Sequence, residues 1–199
     1  MDDKRRLILD QALALVDEHG LGAMSMRAVA ERVGLTSMAL YPYVGGKDAL
    51  LDGLVDLLHA ELGTAYGTDP AALGWQQRLR ALGRSVRTLA RAHPGAYPLL
   101  LNRPAAAASA SWLVAALGTT LHDAGVPEAK ASRLTRMIFA FLLGYTTGEV
   151  TGGLPGGRPE DKELDAEFDA DLDDLVRLVE VSVRVGSGRS APATPGAGL

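Results

Sequence analysis

The residues with the clearest potential for molecular recognition lie between positions 25 and 44, where small and hydrogen-bonding side chains surround a predicted turn. Such side chains can approach base edges in a DNA major groove, where each base pair displays a distinct set of donors and acceptors. The candidates for these contacts are Thr36, Ser37, Met38, Ala39 and Tyr43. The pattern favours binding of DNA, and the spacing alone is equally compatible with a structural helical hairpin.

Two short predicted helices position these side chains. Ser25 is a good N-cap for the first helix, and Gly34 allows the left-handed backbone that a tight turn requires. Thr36 or Ser37 can cap the second helix. Both helices carry apolar residues that point to a core shared with a first helix over 3–19, namely Val29, Val33, Leu35 and Leu40. This division is typical of a helix-turn-helix, whose second helix enters the groove.

Residues 7–62 resemble the DNA-binding domain of the TetR family of transcriptional regulators. The segment over 40–51, LYPYVGGKDALL, is close to that family's signature of leucine-tyrosine, an aromatic residue, valine, lysine and a double leucine. The resemblance implies that Tyr41 contacts a phosphate and that Lys47, at the start of a fourth helix, holds the DNA backbone. It also implies that Arg27 reaches a phosphate or a guanine edge.

Pro42 departs from the family pattern, which usually has an aromatic or polar residue there. Proline lacks a backbone N–H and its ring clashes with the preceding turn of a helix. We therefore expect the recognition helix to be shortened or kinked near its end at Tyr43, which leaves the orientation of that tyrosine open.

The charge of the chain constrains any DNA-binding role. The formal net charge is −4, and residues 1–62 hold ten acidic residues. Affinity for the DNA backbone comes from cations, so the phosphate contacts must depend on a few basic groups and helix N-termini on one face. The basic residues available there are Lys4, Arg5, Arg6, Arg27, Arg32 and Lys47.

Glycine and proline divide the whole chain into segments of helical length, so we predict an all-α protein. The expected organisation is a helix-turn-helix domain over 1–65, a larger helical ligand-binding and dimerisation domain over 66–185, and a disordered tail over 186–199. Further helices are predicted over 47–65, 75–92, 105–124, 127–151 and 164–185, with another turn or two after 96.

The second domain resembles the family more loosely. Residues 93–104 are similar to the C-terminal domain of the tetracycline-repressor branch, but the histidine that helps that branch to bind drug and magnesium is a leucine here. A tetracycline–magnesium ligand is therefore not expected. The candidate pocket residues for an unknown, largely apolar small molecule are His93, Tyr97, Arg103, Trp112, Met137, Phe141, Tyr145 and Glu149. Aromatic residues at this spacing are also typical of an ordinary core.

Two opposite charge patterns lie in this second domain. A stripe of arginines at helical spacing consists of Arg80, Arg84, Arg87 and Arg91, and residues 160–174 contain nine acids with a single Lys162. The two surfaces can pair within the subunit or across a dimer, or each can be a solvated face.

Composition argues against several other classes of protein. The chain has no cysteine, and its four histidines form no metal-ligand pair, so no metal site and no cofactor are predicted. No nucleophile elbow or phosphate-binding loop supports an enzyme. The longest apolar run is about a dozen residues, too short to span a bilayer, and we expect a cytoplasmic protein. A helical enzyme, a metal sensor and a helical adaptor are the weaker alternatives.

The function predicted from these observations is that of a ligand-responsive repressor. Two subunits would pair through the helices over 127–151 and 164–185, as the family resemblance implies, and place their recognition helices in a palindromic DNA operator. Binding of the small molecule would then release the DNA.

Overall fold

A computed structural model describes residues 3–67, 72–103, 110–154 and 161–187 of the chain. Within these ranges the protein forms nine α-helices and no strand, as the all-α prediction requires. The helices are α1 (Asp3–His19), α2 (Met26–Arg32), α3 (Ser37–Val44), α4 (Lys47–Ala65), α5 (Trp75–Ala92), α6 (Leu99–Asn102), α7 (Ala110–Asp123), α8 (Glu128–Thr151) and α9 (Asp161–Ser187). None of these described helices is long and apolar enough to cross a membrane.

The local signals around the helix-turn-helix are confirmed. The Ser25 side chain accepts a hydrogen bond from the Ala28 N–H at 3.1 Å, and the Thr36 hydroxyl accepts one from the Ala39 N–H at 3.3 Å. Gly34 has a φ of 68°, the left-handed conformation that glycine adopts without steric cost. The Ser25 cap fixes where α2 begins. The turn at Gly34 and the Thr36 cap fix where α2 ends and where α3 begins.

Pro42 does not shorten α3, so that part of the expectation was wrong. The helix runs through Pro42 to Val44, one residue beyond the predicted end, and the Gly45 N–H closes it on the Tyr41 carbonyl at 2.8 Å. The reason is that proline near the end of so short a helix removes only one hydrogen bond, the one that would reach Met38. Met38 is exposed, so water can solvate its carbonyl.

One core runs through both halves of the chain. Apolar residues of α1 to α4 pack together, and the predicted stripe on α5 is buried throughout: Leu79, Leu82, Val86 and Leu89. Helix α9 buries Phe168, Leu172, Val176 and Val179, and it begins three residues before the predicted start. The helix expected over 105–124 is seen from Ala110, while residues 104–109 and the predicted tail from 188 onward lie outside the described ranges.

The arginine stripe of α5 pairs with acids within the same subunit. Arg80 contacts Asp173 at 2.8 Å and Arg84 contacts Asp169 at 3.0 Å, both across to α9. Of the three interpretations of these charges, the structure therefore confirms pairing within the subunit. Three of the arginines and the acids of α9 are partly exposed, so most of these pairs stabilise the fold modestly.

Arg87 is the exception because its ion pair is buried. Two of its nitrogens donate to Glu149 of α8 at 2.8 Å, and only small fractions of both side chains remain accessible. Arg91 donates to the same carboxylate at 2.9 Å. Burial alone would raise the pKa of Glu149, but the hydrogen bonds from Arg87 and Arg91 outweigh it and hold that pKa below its usual value.

Candidate DNA-binding and effector sites

Helix α3 has one buried face and one exposed face. Leu40 and Val44 are buried against α1 and α4, whereas the Met38 side chain is 77% exposed and Tyr41 is 47% exposed. Thr36 is exposed, and Ser37 and Ala39 are half-buried at the edge of the same outward surface. The structure therefore presents five of the predicted contact residues to solvent: Thr36, Ser37, Met38, Ala39 and Tyr41.

Tyr43 faces differently from the other predicted contact residues of α3. It is half-buried and packs against the core, and the Lys4 ammonium group of α1 lies 5.3 Å from the centre of its ring. A cation at this distance from an aromatic face is an attractive contact. The orientation that the sequence left open is thus one in which Tyr43 helps to attach α3 to α1.

Tyr41 and Lys47 lie close together at the end of α3 and the start of α4. The Tyr41 ring is 3.8 Å from the position that a Cβ on Gly46 would occupy, directly before Lys47. Lys47 is exposed and makes no ion pair with any residue in the described ranges. The arrangement offers a hydroxyl and an ammonium group at the N-terminus of a 19-residue helix, a combination suited to a phosphate.

The other cations of this half are mostly paired. Arg27 is almost fully exposed but contacts Glu31 one turn later at 2.9 Å. Arg6 pairs with Asp10 at 2.8 Å. Arg32 joins α2 to Glu18 of α1 with both ends of its guanidinium. A phosphate would have to compete with Glu31 for Arg27, whereas Lys47 is available without such competition.

Arg103 lines none of the described cavities and lies instead at the N-terminal end of α4. Its guanidinium contacts Asp48 at 2.7 Å and Asp52 at 2.8 Å, and it donates to the Asp48 backbone carbonyl at 2.9 Å. Arg103, at the end of α6, therefore binds the first turn of α4 at Asp48, the residue after Lys47.

His93 joins the two halves of the molecule. Its Nδ1 lies 2.6 Å from the Asp17 carboxylate of α1, and its Nε2 lies 3.0 Å from Glu61 of α4. The hydrogen bond to Asp17 raises the pKa of His93, and the negative charges of Asp17 and Glu61 add to this, against an opposing effect of burial. Glycine at position 95 lets the segment after α5 pack this closely against α1, since a Cβ there would lie 2.3 Å from the Val16 carbonyl oxygen.

Four of the predicted pocket residues are packing or structural residues of the second half. The Tyr97 hydroxyl is fully buried and lies 2.7 Å from the Thr146 hydroxyl. Phe141 and Tyr145 continue a row of rings that ends at Phe168, with centroid separations of 5.7 and 5.2 Å. Glu149 is occupied by the arginines of α5. The structure brings none of these four into a described cavity.

Met137 and Trp112, two further predicted pocket residues, differ in their surroundings. Met137 is exposed on α8. Trp112 of α7 is half-buried and lines a cavity of about 320 Å³ between α4, α5 and α7, with Tyr66 and Arg78 on the other walls. The sequence analysis did not identify Tyr66 or Arg78. The sequence does contain a pattern that indicates the cavity, because small residues follow Trp112 at helical spacing. No pattern in the sequence indicates that Arg78 lines it.

Comparison with known proteins supports the two halves separately. Residues 8–54 match the family described as bacterial regulatory proteins of the tetR family, and residues 79–175 match a tetracyclin repressor-like C-terminal domain. The chain is 30% identical over 140 residues to the HTH-type transcriptional repressor DrrR1 of Streptomyces coeruleorubidus. That alignment covers 69% of this chain and 50% of DrrR1, so the chain spans about half the length of this relative.

Solved structures show the same fold over nearly the whole chain. The regulator SCO7222, a TetR from Streptomyces coelicolor, superimposes with a TM-score of 0.75 at 23% identity and covers 92% of this chain and 99% of its own. BioQ with its natural double-stranded DNA operator superimposes with a TM-score of 0.72 at 22% identity, covering 89% of this chain and 98% of its own.

Proposed function

Because the chain belongs to the TetR family of bacterial regulatory proteins, we propose that it is a dimeric repressor that binds operator DNA and releases it when a small molecule binds. The functional units are a DNA-binding domain over 1–65 and a ligand-binding and dimerisation domain over 66–185. The proposed DNA contacts are Arg27, Thr36, Ser37, Met38, Ala39, Tyr41, Tyr43 and Lys47. Such a protein acts in the cytoplasm, where the operator is.

The observation that carries the DNA-binding proposal is the outward face of α3. Its buried residues, Leu40 and Val44, hold the helix against the core, so its other face is free to enter a major groove. The Tyr41 ring lies against Gly46, directly before Lys47, which supports the proposal that both side chains contact one phosphate at the groove edge. Tyr43 contributes mainly by positioning α3, because its ring packs against the core and Lys4.

The dimer proposal rests on apolar residues left exposed on α8 and α9. The start of α8 lies against the end of α9, since the Lys130 ammonium group donates to the Ser182 carbonyl at 3.3 Å. Met137 of α8 and Leu178 and Val181 of α9 are all exposed. Pairing these faces with those of a second copy would bury them and hold two α3 helices in one assembly.

Release of DNA requires that the effector distinguish two conformations of the dimer. A ligand shifts such an equilibrium only by its difference in affinity for the two states, and a 100-fold difference is worth about 2.7 kcal/mol. The contacts of His93 with Asp17 and of Arg103 with Asp48 connect the second half directly to α1 and α4. A change in the second half can therefore alter the spacing of the two α3 helices.

The test measures binding to DNA from the region flanking the protein's own gene. Lys47→Ala should weaken binding to all sequences and reduce the slope of log affinity against log salt by about one. Tyr41→Phe should cost about 1.5 kcal/mol, the worth of a hydrogen bond to a charged group. Lys162→Ala, which removes the same charge from α9, is the matched control and should change nothing. Full affinity and an unchanged slope for Lys47→Ala would refute the phosphate contact.

A further inference from the structure

One face of α7 creates the cavity beside Trp112. The residues that line it lie at positions i, i+3, i+4, i+7 and i+8 and are small after the tryptophan: Trp112, Ala115, Ala116, Thr119 and Thr120. Helical neighbours at this spacing share one face, and short side chains there leave space between α7 and the facing α4 and α5. The resulting volume of about 320 Å³ is within the range of small-molecule sites.

The walls of this cavity are aromatic and flat. The rings of Tyr66 and Trp112 meet edge to face, with centroids 5.5 Å apart and an angle of 71° between their planes. Trp112 lies over Gly63 of α4, with ring atoms 3.8 Å from the position of a Cβ on that glycine. Aromatic walls of this kind favour contact with a planar, unsaturated ring.

Arg78 supplies a charged group to the same cavity. Its side chain is only 11% exposed, and one terminal nitrogen donates to Asp123 at 2.6 Å. Its Nε is buried and has no hydrogen-bond partner among the residues that the structure describes. A buried donor without a partner is costly, and a ligand that brings an acceptor to it removes that cost.

The Tyr66 hydroxyl is already engaged within the protein. Burial raises the pKa of Tyr66, with Arg78 and a hydrogen bond to Thr120 acting in the opposite direction. The charged donor of the cavity is therefore Arg78, and a carboxylate accepts several hydrogen bonds and matches the fork of a guanidinium. The combination of the Arg78 guanidinium and aromatic rings fits an aromatic acid.

The two other prominent clefts lack such an unmet donor. The cleft of about 520 Å³ between α1 and α4 contains charged groups that already pair with each other, as His93 does with Asp17 and Glu61. The cleft of about 280 Å³ between α5 and α9 is lined by Arg84 and Arg87, which already contact acids of α8 and α9. The charged groups of these two clefts therefore already form contacts that stabilise the fold.

We propose that the cavity between α4, α5 and α7 binds a planar aromatic carboxylate, held by the Arg78 guanidinium against the rings of Tyr66 and Trp112. This inference rests on the proposed function, since it identifies the chemical class of the effector. The cavity touches the last turns of α4, whose first turn carries Lys47, so occupancy acts on the helix that begins at the DNA.

The experiment uses the full chain and naphthoate as the probe, with naphthalene methanol as its uncharged analogue. Calorimetry should show that naphthoate binds at least about tenfold more tightly than the alcohol, because only the carboxylate pairs with Arg78. Arg78→Met should weaken naphthoate binding by about the same factor and leave the alcohol unaffected. Arg84→Met, which removes an arginine of α5 outside the cavity, is the matched control and should not change either affinity.

A second variant keeps the proposal testable if Arg78→Met fails to fold. Ala116→Leu fills the cavity without removing a charge, and it should abolish binding of both probes while thermal unfolding stays cooperative. The proposal would be overturned if the acid and the alcohol bind equally well. It would also be overturned if Arg78→Met and Ala116→Leu leave naphthoate binding intact, or if the unaltered chain does not bind naphthoate.

DNA binding of the same samples separates the two proposals. Naphthoate binding that depends on Arg78, in a protein that does not bind DNA, would refute the repressor function and sustain the ligand assignment. DNA binding without any binding of naphthoate would refute the ligand assignment alone. If naphthoate binding depends on Arg78 and naphthoate also weakens DNA binding, both the repressor function and the ligand assignment are supported.

Discussion

The two halves of the molecule use their charged residues in opposite ways. In α1 to α4, ion pairs are mostly local and exposed, such as Arg6 with Asp10 and Arg27 with Glu31, each four residues apart. In the second half, the arginines of α5 reach acids 45 to 93 residues away, and the contact of Arg87 with Glu149 is buried. The first half therefore keeps charge at the surface, and the second half uses charge to join its helices.

The proposed function accounts for this difference. A DNA-reading surface needs an uncharged helix face for base edges and cations at its rim, and α3 with Lys47 fits this requirement. A ligand-responsive half has to hold several helices around internal space, and ion pairs between helices fix their positions where apolar packing is interrupted. The four predictions below test this contrast.

The largest expected effect comes from breaking the buried pair. Glu149→Leu alone should lower the free energy of unfolding by about 3–5 kcal/mol, since it leaves the buried Arg87 with only the exposed Asp165 as a partner. Chemical denaturation measures this directly. Combining Glu149→Leu with Arg87→Met should restore most of the loss. Arg6→Met, at an exposed local pair of the first half, should cost about 0–1 kcal/mol; equal losses at both sites would remove the contrast between the halves.

The two faces of α3 should separate stability from DNA binding. Leu40→Ala opens a cavity in the core and should lower the free energy of unfolding by about 2–5 kcal/mol. Met38→Ala, at the exposed face, should change stability by less than about 0.5 kcal/mol while weakening DNA binding. Thermal unfolding and gel shifts on the same samples measure both quantities. A stability loss at Met38 as large as that at Leu40 would contradict an outward-facing α3.

The turn between α2 and α3 offers a smaller effect of purely conformational origin. Nothing lies within 4 Å of a Cβ added at Gly34, so Gly34→Ala acts only through its φ of 68°. We expect a loss of about 1–2 kcal/mol, the cost of a left-handed conformation for an ordinary residue. Gly22→Ala is the matched control, since that glycine has open space and no positive φ. Denaturation curves that coincide for the two variants would contradict the assigned turn geometry.

The smallest expected effect is the pH dependence of the junction between the halves. The pKa of His93 is raised in the folded protein, so its contribution to stability is full below about pH 6.5 and is lost as pH rises through the raised value. The groups that face it are Asp17 and Glu61, with Arg6 and Asp10 along the same cleft. His93→Gln should flatten the melting temperature against pH in this window, whereas His122→Gln should not.

Local signals made the first half predictable. Ser25, Gly34 and Thr36 act on residues three or fewer positions away, so their roles as caps and turn are readable from the sequence. Pro42 misled the prediction because its effect depends on how close the helix end is and on whether the freed carbonyl meets solvent. Those are properties of the folded environment.

Long-range partners made the second half harder to predict. The arginine stripe was visible, but its pairing stayed open because the acids lie on a helix about 80 residues further along the chain. The pocket residues were chosen by type, and the same aromatic side chains serve as core in Phe141 and Tyr145 and as cavity wall in Trp112. Arg78 was missed because only the packing of α7 shows that its guanidinium is buried.

Arg103 changes the electric potential that the first turn of α4 presents to a duplex. Without this arginine, Asp48 and Asp52 would place two uncompensated negative charges beside Lys47. With it, two cations balance two carboxylates, and the turn is locally neutral. A fragment cut after residue 65 would retain every proposed DNA-contact residue and yet repel a phosphate backbone more strongly than the intact chain does. Under the proposed function, the half that senses the small molecule thus supplies a cation that the DNA-reading half lacks.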